Sequence, residues 1–162
     1  MTLAITIRDY RPDDEAAVIG LVRELQAFEE DIYDRLIPAA DIGGWYVARL
    51  LKDCAEKSGR ILVAERAGGI VGYATIMTNI VVDDERDEIV YSVAHLGDLA
   101  VTATARGQGI GQRLMADCER IAREAGARWL RITAHAANNR ARRIYETFGF
   151  CEQFVSFEKV LE

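Results

Sequence analysis

The residues best suited to chemistry lie in one glycine-rich stretch, ARGQGIGQRL, at positions 105–114. Arg106, Gly109 and Gly111 form the pattern Arg-x-x-Gly-x-Gly, and an apolar helical pattern begins directly behind them. The spacing fits neither the dinucleotide fingerprint G-x-G-x-x-G nor the phosphate-binding loop G-x-x-x-x-G-K-S/T. The stretch nevertheless joins a predicted strand to a predicted helix, where unpartnered N–H groups and the helix dipole favour an anion.

Glycine and arginine suit this turn to a bound diphosphate. Glycine has no side chain to keep a bulky phosphate away, and it allows unusual backbone angles. The guanidinium of Arg106 adds a positive charge. The pattern therefore predicts a diphosphate site, and a glycine-rich turn that binds nothing is the alternative.

The elements that must position this turn follow from hydrophobic periodicity and turn residues. The predicted strands cover residues 3–10, 60–66, 70–77, 89–101, 128–135 and 150–161. The predicted helices run from Pro12 to the acidic stretch FEEDIYD, from Gly44 to Lys57, from Ile110 to a cap at Gly126, and from Asn138 to Phe148. This order predicts an α/β fold with a mixed, largely antiparallel sheet, in a single domain over 1–162. The strand–helix–strand unit from Val90 to His135 predicts that its two strands are parallel.

Two stretches, HLGDLAVTATARGQGIGQRLM and NNRARRIYETFGF, together resemble the GNAT superfamily of N-acetyltransferases. In that superfamily the pattern Arg/Gln-x-x-Gly-x-Gly/Ala follows a strand, and a later Asn-x-x-Ala-x-x-x-Tyr helix ends near Gly-Phe. The matching residues here are Arg106, Gly109, Gly111, Asn138, Ala141, Tyr145, Gly149 and Phe150. The resemblance implies the GNAT fold and acetyl-CoA as cosubstrate, and the breadth of the superfamily leaves the acceptor open.

The resemblance also implies which residues hold the cofactor. Backbone N–H groups of residues 107–111 would grip the coenzyme A diphosphate. The strand backbone at residues 99–101 would pair with the pantetheine arm, where the neighbouring strand splays away. The implied cofactor-binding residues are Leu99, Ala100, Val101, Arg106, Gly107, Gln108, Gly109, Ile110, Gly111, Asn138, Ala141 and Arg143. Core packing is the alternative for Leu99 and Val101.

Asn138, Ala141 and Tyr145 are spaced i, i+3, i+7 and therefore share one helix face. In the superfamily this face lines the cofactor arm and the tyrosine reaches the thioester sulfur, which makes Tyr145 the leading general acid. A phenol with a pKa of about 10 can protonate the departing thiolate. A tyrosine packed in the core, with its hydroxyl at the edge, is the alternative.

Asp98 is the preferred base for the acceptor amine, because it lies on the long strand just before the cofactor segment. A structural or solvated carboxylate is the alternative. Strand alternation puts His95 on the opposite face from Asp98 unless a bulge intervenes. His135 is expected to be a strand-end residue.

Acidic residues outnumber basic residues by 26 to 20, for a net charge of −6. This charge argues against nucleic acid as a partner and favours a cationic substrate. The acidic stretches 29–34 and 83–88 border the acceptor cleft in one interpretation and serve solubility alone in the other. Likewise, the cluster Arg140, Arg142 and Arg143 either supplies a contact to the adenosine phosphate or forms a solvated helix face.

The three cysteines, Cys54, Cys118 and Cys151, lack metal-ligand spacing and are expected to be buried free thiols. No apolar run reaches the roughly 20 residues needed to cross a bilayer, and the first residues lack a signal-peptide pattern. We therefore expect a cytoplasmic protein with no metal and no membrane partner. Because many relatives dimerise, the resemblance also implies a homodimer.

The function expected from these features is acetyl transfer from acetyl-CoA to a small-molecule amine through a ternary complex. No cysteine is placed by a motif as an acyl carrier, which favours direct transfer. Two alternatives remain open. One is a protein or peptide N-acetyltransferase, and the other is a non-catalytic acyl-CoA-binding module.

Overall fold

Within residues 4–83 and 88–161, which the computed structural model describes, the chain forms five strands and four helices. The strands are β1 (Ile5–Asp9), β2 (Arg60–Arg66), β3 (Gly69–Val82), β4 (Tyr91–Val101) and β5 (Leu130–Ile132). The helices are α1 (Glu15–Glu30), α2 (Gly44–Glu56), α3 (Ile110–Glu124) and α4 (Asn139–Phe148).

The strands form one sheet in the order β1-β2-β3-β4-β5. Neighbouring strands are antiparallel except for β4 and β5, which are connected through α3 and run parallel. The predicted α/β fold, with its mixed and largely antiparallel sheet, is therefore confirmed, as is the parallel strand–helix–strand unit.

The two faces of the sheet carry separate hydrophobic cores, because successive side chains of a strand point in opposite directions. On one face, Ile76 packs with Leu114 of α3. On the other face, Val63 packs with Val18 of α1 and Val47 of α2. The sheet thus lies between α3 on one side and the pair α1 and α2 on the other.

An ion-pair network fixes the start of α1 to the sheet. Arg8 of β1 donates through its two Nη atoms to the two carboxylate oxygens of Asp14, at 2.7 and 2.9 Å, and through Nε to Glu65 of β2 at 2.8 Å. Asp14 is buried and directly precedes α1, and its carboxylate also accepts from the Arg11 N–H. The network therefore sets where the rest of α1 lies relative to the sheet.

The prediction of a strand over residues 150–161 is wrong. Residues 151–161 form no regular structure, and their side chains are exposed, with Phe157 92% exposed. A strand needs a neighbour, and β5 has only three residues instead of the predicted 128–135, so its edge offers few backbone groups for pairing. Ion pairs hold the segment instead: Arg35 donates to both carboxylate oxygens of Glu158, at 2.9 and 2.6 Å.

The expectation that all three cysteines are buried is wrong for one of them, because that cysteine lies in the same C-terminal segment. Cys54 and Cys118 are buried free thiols, as expected, whereas Cys151 lies in the exposed segment.

In the part of the chain described, no helix is long and apolar enough to cross a membrane. Nor do His, Cys, Asp and Glu side chains of those residues form a group able to hold a metal ion.

Candidate active site

A β-bulge in β4 opens one edge of this strand. Ala74 of β3 pairs with Leu99, and Ile76 pairs with Leu96, so β4 carries one more residue than β3 over this interval. β5 pairs with β4 only as far as Leu96. Over residues 97–101, the edge of β4 on that side has no strand neighbour among the described residues, and an extended ligand can pair with it.

The bulge also changes which side chains share a face. Leu96 and Leu99 both contribute to the core under α3, so His95 and Asp98 both face α1 and α2. The opposite faces expected for a regular strand therefore do not apply to His95 and Asp98, because the bulge that was the stated exception is present. Gly97 permits the bulge, because a Cβ atom there would lie 2.7 Å from a threonine hydroxyl of β3.

The glycine-rich turn connects β4 to α3. Gly107 and Gly109 both have a φ of +75°, in the left-handed region that glycine adopts without strain. Gly109 is the N-cap of α3, and the Arg113 N–H donates to its carbonyl oxygen at 3.1 Å. The N–H groups of residues 110–112 precede this bond and have no acceptor within the helix. The turn therefore offers the partly positive, amide-rich end that the sequence predicted.

Arg106 is held within the protein at this turn. Its Nε donates to the Val101 carbonyl oxygen at 2.9 Å, and its Nη2 donates to Glu24 Oε1 at 3.1 Å. The partner of Arg106, which the sequence did not reveal, lies 82 residues earlier in the chain on α1. The positive charge of Arg106 is therefore matched by a carboxylate.

The ends of α4 account for part of the second motif. Asn138 Oδ1 accepts from the Ala141 N–H at 3.0 Å and caps the helix, and Gly149 ends it with a φ of +111°. Ala141 and Tyr145 follow on the same side of the helix. The Asn and Gly of the motif thus start and stop α4, which sets the position of Tyr145.

The open edge of β4, the turn, α4 and α1 enclose a cleft of about 540 Å³. The predicted residues that line it are Leu99, Ala100, Val101, Arg106, Gly107, Gly109, Ile110, Gly111, Asn138, Ala141, Arg143 and Tyr145. Gln108 does not line the cleft, and its side-chain oxygen accepts from Arg66 at 2.6 Å. The lining residues that the sequence analysis did not assign include Leu21, Glu24, Leu25 and Phe28 of α1.

The basic cluster is divided between two environments. Arg140 and Arg143 line the cleft, whereas Arg142 pairs with Glu152 of the C-terminal segment. Of the predicted acidic stretch 83–88, residues 84–87 lie outside the described residues. Two arginines are therefore available on the α4 wall for an anionic ligand.

Tyr145 is a neutral phenol in this cleft. Burial raises its pKa to about 12, and the negative charge of Glu29 acts in the same direction. Its ring packs edge-on against Phe150, with 6.1 Å between the ring centroids. The hydroxyl therefore stays protonated near neutral pH and is available as a hydrogen-bond donor.

Asp98 lies at the centre of a hydrogen-bond cluster directly before the cleft-lining part of β4. Its Oδ2 accepts from the hydroxyl groups of Tyr46 at 3.0 Å and Tyr73 at 2.9 Å. Its backbone N–H donates to Thr75 Oγ1 at 2.8 Å. Burial, together with the charge of Asp98, raises the pKa of both phenols. The carboxylate thus has two permanent donors on one oxygen.

Glu29 is the residue of this region that sequence reasoning did not single out from its acidic stretch. It is half-buried in the last turn of α1, and within residues 4–83 and 88–161 no hydrogen bond or ion pair contributes to its pKa. Burial raises that pKa, the charge of Asp98 adds to the effect, and His135 opposes it. The signal was present, because Glu29 stands four residues after Leu25 and therefore continues the apolar stripe of α1.

His135, expected at the end of a strand, lies three residues after the end of β5. Its imidazole stacks on the Tyr33 ring, with 4.5 Å between centroids and 26° between planes. His95, on the face of β4 that carries Asp98, has a lowered pKa because of burial and then the charge of Arg131. The charges of Asp98 and His135 thus both act on Glu29, so the three side chains share one region.

Comparison with known proteins gives a family. The model of the acetyltransferase (GNAT) family matches residues 22–150. The chain is 31% identical to the N-alpha-acetyltransferase 40 of Saccharomyces cerevisiae over 107 residues, which are 59% of this chain and 38% of that protein. It is 29% identical over 150 residues to the uncharacterised N-acetyltransferase YhfO of Bacillus subtilis, covering 91% of each. The chain thus spans well under half of the yeast protein and most of the bacterial one.

Solved structures share the fold. A mutant form of the BH1408 protein from Bacillus halodurans superposes with a TM-score of 0.82 at 19% identity, over 97% of this chain and 99% of that one. The aminoglycoside acetyltransferase meta-AAC0020 from an uncultured soil metagenomic sample, in complex with sisomicin, has a TM-score of 0.65 at 24% identity, over 98% and 97%. At these identities the likeness concerns the fold.

Proposed function

Because the chain belongs to the GNAT family of acetyltransferases, we propose that it moves the acetyl group of acetyl-CoA to a primary amine of a small molecule, by direct attack within a ternary complex. The observation that carries this proposal is the single cleft in which the open edge of β4, the glycine turn and Tyr145 meet. An extended thioester with an anionic end matches these features, with its anionic end at the turn, its arm along the strand edge and its thioester near Tyr145.

Acetyl-CoA would bind along this cleft. The diphosphate would accept hydrogen bonds from the N–H groups of residues 107–111 at the start of α3, where the helix dipole favours an anion. The pantetheine arm would pair with the backbone of residues 99–101. Arg140 and Arg143 would offer positive charge to the remaining phosphate. This orientation would put the thioester near Tyr145.

The reaction forms a carbon–nitrogen bond and breaks the carbon–sulfur bond of the thioester. An alkylammonium acceptor must first lose a proton, which Asp98 would take through a water molecule or through the Tyr46 hydroxyl. The sulfur leaves as a thiolate and takes up one proton. Tyr145 would donate it and would regain a proton from the nitrogen, which loses its second proton as the amide forms. Because the pKa of Tyr145, about 12, lies above the roughly 8.5 of a thiol, the hydrogen bond in the transition state would be its main contribution.

Charge around the acceptor end supports an amine. Glu29 and Asp98 both lie close enough to this end for their charges to act on the neighbouring phenols. A cationic amine would reduce the free-energy cost of burying the Glu29 carboxylate. The name of the aminoglycoside acetyltransferase neighbour agrees with a small amine, whereas the name of the yeast relative agrees with a protein N-terminus.

The test is a thiol-release assay with acetyl-CoA against a panel of amines. The panel contains polyamines, aminoglycosides, free amino acids and peptides with free N-termini. Release with a small amine is expected. Release with peptides alone would replace the small-molecule acceptor by a protein, and tight acetyl-CoA binding without release from any amine would favour the non-catalytic module.

We also propose that the protein works as a homodimer. The support is the exposed C-terminal segment, 151–161, because large apolar patches on a protein surface commonly mark interfaces. Its most exposed apolar side chains are Phe154, Val155, Phe157, Val160 and Leu161.

A further inference from the structure

We propose that Glu24 of α1 is a positioning residue for the cofactor diphosphate: it holds the turn between β4 and α3 in the shape that receives a phosphate. This inference rests on the proposed function, because it names coenzyme A as the ligand. It assigns to α1 a part in cofactor binding, although neither of the two sequence motifs includes this helix.

The carboxylate of Glu24 accepts three hydrogen bonds from the turn. Thr102 Oγ1 donates at 3.0 Å, the Ala103 N–H donates at 2.6 Å, and Arg106 Nη2 donates at 3.1 Å. These donors come from the first five residues after β4, which lead directly to Gly107. One half-buried side chain therefore ties the whole approach to the glycines to α1.

Arg106 completes the arrangement from the other direction. While Nη2 is bonded to Glu24, its Nε donates to the carbonyl oxygen of Val101, the last residue of β4. The guanidinium thus links the end of the strand to α1, and its Nε and Nη2 atoms both donate to protein groups. In this geometry Arg106 shapes the turn, and the N–H groups of the glycine stretch remain the donors for the phosphate.

A fixed turn matters because amides bind an anion well only when they already converge. Gly107 and Gly109 are free to adopt many conformations, and neither would meet another atom if it carried a Cβ. At these two glycines, packing among the described residues does not restrict the backbone. The three bonds to Glu24 restrain the segment that leads into them.

Loss of Glu24 should leave the fold intact. α1 stays anchored by its buried side chains Val18, Leu21 and Val22, and by the Arg8–Asp14 pair at its start. Substitutions at Glu24 therefore test positioning, and thermal unfolding checks that each variant is folded.

The experiment compares two donors, acetyl-CoA and acetyl-pantetheine, which lacks the diphosphate. In Glu24→Ala we expect kcat/KM for acetyl-CoA to fall about tenfold, with a matching rise in the dissociation constant for CoA measured by calorimetry. The kcat/KM for acetyl-pantetheine with the same amine should fall much less. Glu24→Gln keeps an acceptor oxygen for Ala103 but weakens the pair with Arg106. Its affinity for CoA should therefore lie between those of the wild type and Glu24→Ala. Glu119→Gln, which removes an ion pair at the far end of α3, serves as the matched control and should change neither.

A double-mutant cycle separates this role from direct phosphate binding by Arg106. If Arg106 acts through Glu24, the variant with both Glu24→Ala and Arg106→Ala should lose no more affinity than Glu24→Ala alone. An unchanged or tighter CoA affinity in Glu24→Ala, an equal loss with both donors, or additive losses in the cycle would overturn the proposal. A wild-type protein that does not bind CoA would instead overturn the proposed function, and this inference with it.

Discussion

Tyr145 is the residue whose chemistry is tested most directly by a single atom change. Tyr145→Phe removes the hydroxyl that would donate to the leaving thiolate and keeps the ring packed on Phe150. We expect kcat to fall about 10²-fold, with a small change in the dissociation constant for acetyl-CoA. Steady-state kinetics and calorimetry give the two values. Tyr91→Phe, outside the cleft, is the control, and an unchanged kcat in Tyr145→Phe would remove Tyr145 from the mechanism.

Glu29 should show opposite effects on stability and on activity. Burial raises its folded pKa above the unfolded value, so the protonated carboxyl is favoured by the fold. Its contribution to stability is present at low pH and is lost as the pH rises through the folded pKa. Glu29→Gln should therefore raise the melting temperature slightly at pH 7, while the KM for a cationic amine rises severalfold.

Two measurements check this expectation. Thermal unfolding should show the gain at pH 7 and little gain at pH 4, where Glu29 is already largely protonated. Asp31→Asn, an exposed neighbour in the same acidic stretch, should change neither the melting temperature nor the KM. A Glu29→Gln variant with wild-type KM for every amine tested would exclude Glu29 from acceptor binding.

Residue types and spacing were enough to find one wall of the site and not the other. Gly107, Gly109 and Tyr145 were predicted, because turns and helix faces are local features that the sequence displays directly. Glu24 was not, because its relation to Arg106 exists only once α1 packs beside the end of β4. The roles of the cleft-lining residues in binding and catalysis stay predictions.

Among the elements, β4 shows how a local irregularity changes a face. Regular alternation predicted opposite faces for His95 and Asp98, and one inserted residue put both on the same face. Gly97 was the available signal, because an isolated glycine in a strand is typical of a bulge or a close approach. The sequence could not say which of the two it was, since that depends on Thr75 of the neighbouring strand.

The junction between β1 and α1 makes stability depend on pH. Hydrogen bonds from Arg8, followed by the opposing effect of burial, leave the pKa of Asp14 below its ordinary value. The stability from this pair is therefore fully present above the unfolded pKa, about 3.9, and is lost as the pH falls through the folded pKa. Asp14→Asn should cost about 2–3 kcal/mol of unfolding free energy at pH 7.

Urea unfolding at pH 7 and pH 3 measures this difference. The gap between wild type and Asp14→Asn should be narrower at pH 3, because that pH lies below the unfolded pKa of Asp14 and protonation of the carboxyl then favours the unfolded chain. Asp117→Asn breaks an exposed pair with Arg120 and should cost less than about 1 kcal/mol at either pH. Equal costs for the two substitutions at pH 7 would show that the Arg8–Asp14 pair does not anchor α1.

The molecule as a whole differs from expectation at its C-terminal segment. The stretch 150–161 was predicted to be a strand, yet 151–161 lie exposed beside a sheet whose last strand, β5, has three residues. The residue types of a segment show what it can bury and not whether its own chain provides a partner. The edge of β5 away from β4 has no strand neighbour among the described residues. Pairing of this edge with the segment 151–161 of a second copy would give the edge a neighbouring strand and would bury the apolar side chains of the segment.

This leads to an expectation about the assembled protein. If the segment 151–161 of one copy covers the edge of β5 in another, the protein of 18.1 kDa should elute and scatter light as a dimer at micromolar concentration. Phe157→Asp introduces a charge at the most exposed aromatic side chain of the segment and should shift the equilibrium towards monomer. Val81→Asp, an equally apolar-to-acidic change at an exposed position of β3, should leave the dimer intact. Light scattering that reports a monomer for the wild type across a hundredfold range of concentration would contradict the homodimer. If both substitutions dissociate the dimer, the result would contradict an interface formed by the segment 151–161.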